Sequence, residues 1–147
     1  ATFSPCFGGP FLTLHPLKYA ALLKEKMIQF NSKVFLVNTG WVGGTPSEGA
    51  SRISIKDTRA IITSILSGSI IKADFEEDPI FRVKIPRELD GVKSSVLFPR
   101  DAWIDQDKYD QNANYLANLF IQNFSKYDDI NSSLKEFGPV LAEEINE

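Results

Sequence analysis

The chain has 147 residues, of which 43% are hydrophobic and 24% charged, with a formal net charge of −3. That is the size of one ordinary domain, able to bury roughly 70% of its unfolded surface around a core without disulfides or metals. The acidic balance argues against nucleic acid or an anionic membrane as partner, no apolar run approaches the ~18 residues of a spanning helix, and the single cysteine, Cys6, fits a reducing, cytoplasmic setting.

The opening, Ala1-Thr2-Phe3-Ser4-Pro5, has neither an initiator Met nor a basic region followed by an apolar stretch. It is not expected to be a signal peptide, and a segment of a longer protein is expected. Pro5, Gly8, Gly9, Pro10 and Pro16 punctuate residues 1–16. Pro16 suits the first turn of a helix, in which Tyr19, Ala20, Leu23, Met27 and Phe30 recur on one face and which Asn31-Ser32 ends. Val34-Phe35-Leu36-Val37 is a continuous apolar run of β-formers and predicts a strand buried on both faces. Residues 38–50, NTGWVGGTPSEGA, predict a loop, because five glycines and prolines interrupt it.

Arg52 to Ile55 alternates as a strand does. A helix is expected from Thr58 to Leu66, capped by Asp57 or a neighbour and stopped at Gly68. Residues 69–104 predict short extended pieces, with Phe81–Ile85 a half-exposed strand, and Glu76-Glu77-Asp78 a solvated acidic loop. Asp105 can cap the longest helix, about 107–126, whose apolar face is Tyr109, Ala113, Leu116, Leu119, Phe120 and Phe124. Ser133 with Glu136 fits a capping box for a last short helix. The pattern is α/β with mixed α+β character, short strands with packing helices, in a single segment spanning residues 1–147.

Local chemistry is sparse. The glycine-rich loop is neither a GxGxxG fingerprint nor a GxxxxGK[ST] phosphate loop, and a connector accounts for it. Residues 52–59 concentrate Arg52, Lys56 and Arg59 with the hydroxyls of Ser54 and Thr58 at a strand-to-helix junction, where α/β proteins gather ligands. Arg52 can stack on a base or pair with a phosphate, and Thr58 offers a hydroxyl. A solvated strand edge with a helix cap explains the same residues. The lone histidine, His15, fits a helix cap better than a metal ligand, Cys6 fits an inert thiol, and no spacing suits a metal site.

Several separated motifs are more specific. Ala1-Thr2-Phe3-Ser4-Pro5-Cys6-Phe7-Gly8 with Leu14-His15-Pro16-x-x-Tyr19-Ala20, then Leu36-Val37-Asn38-Thr39-Gly40-Trp41, then Arg52-Ile53-Ser54-Ile55-Lys56-Asp57-Thr58-Arg59-Ala60-Ile61-Ile62 resemble, in order, segments of ATP-dependent phosphoenolpyruvate carboxykinases. Ile85-Pro86, Gly91-Val92, Leu97-Phe98-Pro99-Arg100 and Phe120-Ile121-x-Asn123-Phe124 continue the likeness over nearly the whole chain.

The resemblance implies part of the C-terminal nucleotide-binding domain of the carboxykinase fold. It also implies a role in converting oxaloacetate and ATP to phosphoenolpyruvate, ADP and carbon dioxide, in gluconeogenesis. In that family the phosphate loop, the ligands of the Mg²⁺ and Mn²⁺ ions and the oxaloacetate-binding residues lie upstream. This segment is expected to hold no catalytic or metal residue and to be inactive alone. What it contributes, by position, is the adenine and ribose side of ATP, at Arg52, Ile53 and Thr58. The sequence departs from the family at Ser51, where many relatives carry a basic residue, and at Thr45-Pro46-Ser47-Glu48.

The expected partners are ATP and the remainder of the parent enzyme, with self-association through surface left open. The competing reading is a non-catalytic nucleotide-binding or interaction domain.

Overall fold

The computed structural model describes residues 3, 9–45, 47, 49–127 and 133–142; Cys6 and most of the opening motif lie outside them. The first long helix, α1, runs Pro16–Phe30. Pro16 occupies its first turn, and His15 is the N-cap, its Nδ1 accepting the Leu17 N–H at 3.4 Å. The helix ends where Asn31 turns left-handed at φ 50° and Ser32 N–H reaches back to the Met27 carbonyl, a turn that asparagine tolerates better than most residues.

Beyond it, β1 (Trp41–Val42) and β2 (Ser51–Arg52) form an antiparallel ribbon with Trp41 opposite Arg52. Helix α2 follows at Ile55–Leu66, stopped by Gly68 in the left-handed region at φ 74°, then a 3₁₀ turn at Ser69–Lys72. A second antiparallel ribbon joins β3 (Phe75–Glu77) to β4 (Lys84–Pro86), with Glu76 opposite Ile85. The short α3 (Ser94–Leu97) and a 3₁₀ turn at Pro99–Ala102 lead into α4, Gln106–Phe124. Asp105 caps α4 by accepting the Lys108 N–H at 3.0 Å. A 3₁₀ turn at Ser133–Phe137 precedes a tail whose Val140 N–H meets the Ile80 carbonyl at 2.9 Å. Helices with short antiparallel strands make the chain mixed α/β, as its pattern predicts.

Several expectations are corrected. Helix α2 begins three residues before Thr58, because Ser54 rather than Asp57 is its N-cap. The 52–55 strand shrinks to Ser51–Arg52, since Ser54 already belongs to the cap. The 81–85 strand is displaced to Lys84–Pro86: Asp78 Oδ1 accepts the N–H groups of Ile80 and Phe81, and the resulting turn takes Phe81–Val83 out of the ladder. For the same reason Glu76 and Glu77 lie in β3 and not in a loop. The 38–50 loop contains β1. Helix α4 ends at Phe124, two residues early, and tightens into a 3₁₀ turn over Ser125–Tyr127. The last expected helix is the 3₁₀ turn Ser133–Phe137.

The largest departure concerns the core. Residues Val34–Val37 form no strand, and Leu36 is 86% exposed. Among the described residues the buried apolar side chains are Ile70, Ala113 and Ala117. The chain exposes 11320 Å², whereas a closed globule of 16.5 kDa exposes about 7,500 Å². A chain with this much apolar sequence buries less than it can because its apolar faces, including Leu23 and Phe30 on α1 and Leu36, meet no opposing layer among the described residues. No helix among the described residues is long and apolar enough to cross a membrane.

Candidate functional site

The junction from Asn38 to Arg59 is built from local bonds. Asn38 Oδ1 accepts the Gly40 N–H at 2.8 Å, turning the chain into β1. The Ile53 N–H then donates to the Gly40 carbonyl at 3.0 Å, one step beyond the β1–β2 ladder. Gly43, at φ 84°, lies so near the Ala102 carbonyl that a Cβ would come within 3.1 Å of it. Both the left-handed backbone and the close approach require glycine there.

The sequence reading did not resolve how α2 starts. Ser54 Oγ accepts the Asp57 N–H at 3.0 Å and donates to Asp57 Oδ2 at 2.5 Å. Asp57 is 5% exposed. The pair is a serine N-cap buttressed by the carboxylate that its hydroxyl meets, and the buried carboxylate also faces the positive end of the helix dipole. The Ser54-x-x-Asp57 spacing carried this signal in the sequence. Ser54→Ala should therefore cost about 1–2 kcal/mol, because it strands the Asp57 amide and a buried carboxylate oxygen together. Thermal unfolding should show a fall of about 2–4 °C per kcal/mol, with Ser54→Thr close to wild type; an unchanged melting temperature in Ser54→Ala would remove the cap from the account.

The three residues singled out by sequence occupy this frame. Arg52 sits on β2, exposed, and the one hydrogen bond of its side chain among the described residues is Nη2 donating to the Thr39 carbonyl at 3.5 Å, long enough to hold it weakly. Neither Arg52, Lys56 nor Arg59 is in an ion pair among the described residues. Ile53 divides its roles: its side chain lines an apolar cavity shared with Trp41, Ile61 and Ile65, while its carbonyl accepts no hydrogen bond among the described residues. Thr58 is half-buried on the first turn of α2 and donates its hydroxyl to the Ser54 carbonyl at 3.0 Å. Its oxygen keeps acceptor capacity toward a ligand hydroxyl. The junction thus presents cations in no ion pair, a carbonyl that accepts no hydrogen bond, each among the described residues, and a hydroxyl at the start of a 12-residue helix, a combination suited to a nucleoside and its phosphates.

A second cavity of about 620 Å³ lies between the β3–β4 hairpin and α4. It is unsuited to the same ligand. Glu76, Asp78, Glu88 and Asp101 line it, and its cations are engaged: Arg87 with Glu76 at 3.0 Å, and Arg100 with both oxygens of Asp110 at 2.8 Å. The Arg100 hydrogen bond holds Asp110 below the usual carboxylate range, and the same contact raises Arg100. Burial, reinforced by Asp78 and Asp110, pushes the Tyr109 phenol up, so it stays neutral there. An acidic wall with paired arginines repels a polyphosphate. His15 is confirmed as a helix cap. Among the described residues no group of three or more His, Cys, Asp or Glu side chains is placed to hold a metal ion.

Residues 1–95 match the family model described as phosphoenolpyruvate carboxykinase. A relative named phosphoenolpyruvate carboxykinase (ATP) from Caldanaerobacter subterraneus subsp. tengcongensis is 47% identical over 139 residues, 95% of this chain and 26% of that protein. The protein of the same name from Campylobacter jejuni subsp. jejuni is 48% identical over 143 residues, 96% of this chain and 27% of its own length. That from Alkaliphilus oremlandii is 46% identical over 139 residues, 95% of this chain and 26% of its own. The chain spans about a quarter of the length of the curated relatives it matches.

Proposed function

The chain belongs to the phosphoenolpyruvate carboxykinase family, and from that premise we propose that it is the C-terminal part of the ATP-dependent enzyme, supplying the adenine and ribose side of the nucleotide site. The reaction is that of the relatives' name: oxaloacetate loses carbon dioxide and the resulting enolate takes a phosphoryl group, giving phosphoenolpyruvate. Its setting is the cytoplasm, in gluconeogenesis.

ATP, when bound, supplies that phosphoryl group. The residues of this chain bind and orient. Arg52 lays a planar cation against the purine or ribose, the Ile53 carbonyl accepts from an exocyclic amine while its side chain packs inward, and Thr58 meets a ribose or phosphate oxygen. The family's Mg²⁺ and Mn²⁺ find no ligand set among the described residues. The segment 1–147 is one part of a nucleotide-binding domain and is inactive alone, because positioning a nucleoside without phosphate or metal groups does not stabilise a phosphoryl transition state. Surface left open by the missing part favours self-association of the isolated chain.

The observation that carries this reading is the Arg52 guanidinium, in no ion pair among the described residues, beside an Ile53 carbonyl that accepts no hydrogen bond among them and Thr58 at a helix start. It is tested by titrating the chain with ATP and following each backbone amide by NMR. Saturable shifts centred on Arg52, Ile53 and Thr58, absent in Arg52→Ala, are expected. Shifts confined to the acidic cavity at Glu76 and Asp101, or shifts indifferent to Arg52→Ala, would defeat the assignment.

A further inference from the structure

The unsatisfied backbone of residues 33–37 points to what this chain docks against. None of these residues makes a main-chain or side-chain hydrogen bond among the described residues. Backbone groups that end up away from water are almost always paired, and this sequence is built to leave water: Val34, Phe35, Leu36 and Val37 are apolar in unbroken succession, the pattern of a strand covered on both faces. Here Val34 is 54% and Leu36 86% exposed. Behind the segment lies an open apolar cavity of about 620 Å³, reaching Ile61, Ile65, Ile70 and Phe75. Native interiors do not retain voids of that size.

We infer that Val34–Val37 is an inner strand of a sheet whose two flanking strands come from the part of the carboxykinase chain outside these 147 residues, and that apolar side chains from that part fill the cavity. The inference rests on the carboxykinase reading and names that reading's partner surface. The relatives are about four times as long as this chain, so the required strands have a source. A second copy of this chain is the poorer occupant. A two-fold pair joins one edge of each strand to its mate and leaves the other edge open, whereas both edges are free here.

The test joins this chain to the upstream three quarters of the Campylobacter jejuni relative and follows hydrogen exchange. In the isolated, dilute chain the amides of Val34–Val37 should exchange freely; in the fusion they should slow by on the order of 10³-fold. Carboxykinase activity of the fusion is measured in parallel. Activity with Val34–Val37 still exchanging freely overturns the strand while leaving the carboxykinase reading intact. Protection without activity upholds the strand and removes the activity reading. Protection in the isolated chain that grows with its concentration makes a second copy the occupant and overturns the inference. Protection there at every dilution overturns it too, without recourse to the fusion. Leu36→Pro, which deletes one ladder donor, should abolish the protection, whereas Leu36→Thr, which keeps the donor, should retain it; equal protection in both variants rejects an inner strand.

Discussion

Arg52→Ala in the fused carboxykinase should raise KM for ATP by about 10- to 100-fold, with kcat at saturating ATP nearly unchanged. The magnitude is that of one or two charge-assisted hydrogen bonds or a cation stacked on a base, roughly 1.5–3 kcal/mol. The pattern follows from the proposed assignment: contacts of Arg52 to the nucleoside, remote from the transferring phosphoryl group, would strengthen ground state and transition state alike, so their loss would appear in KM. The structure makes the experiment clean. Arg52 is exposed, forms no ion pair among the described residues and holds Thr39 only through a 3.5 Å contact. Truncating it should leave the melting temperature within the small range of surface substitutions, about 0.5 kcal/mol. Arg52→Lys should fall between, since it keeps charge and loses the planar fork. A KM for ATP within twofold of wild type in Arg52→Ala would remove Arg52 from the nucleotide site.

Ala117→Leu should be the most destabilising of the single substitutions considered, by about 1–3 kcal/mol. Ala117 has no exposed surface, and with Ala113 one turn away it forms the buried stripe of α4. These alanines let the helix lie close to its neighbours, and three added carbons have nowhere to go without moving the helix. A chain that exposes 11320 Å² has less than the usual margin against such a change. Thermal unfolding should show a fall of about 2–4 °C for each kcal/mol. Leu66→Ala is the internal control: Leu66 is 82% exposed in this chain, so its truncation should be close to neutral here. Equal effects of the two substitutions would mean that α4 is not the packed centre.

Local features follow from the order of residues alone. The caps at His15, Asp105 and Gly68, the helices α1, α2 and α4, and the grouping of Arg52, Ile53 and Thr58 at one junction depend on bonds and periodicities within a few residues, so spacing suffices to read them. The family was legible for the same reason: motifs kept in order along nearly the whole chain. Tertiary structure decided the rest. The Asp78 turn moved a strand from 81–85 to Lys84–Pro86 by taking Phe81 N–H for a side-chain oxygen. That Ile53 lines the apolar cavity, and that Arg52 is in no ion pair among the described residues, depend on residues far apart in sequence. Above all, Val34–Val37 is apolar enough to be an inner strand, yet a strand exists only where neighbours offer their N–H and C=O groups, and in this chain none of the described residues does.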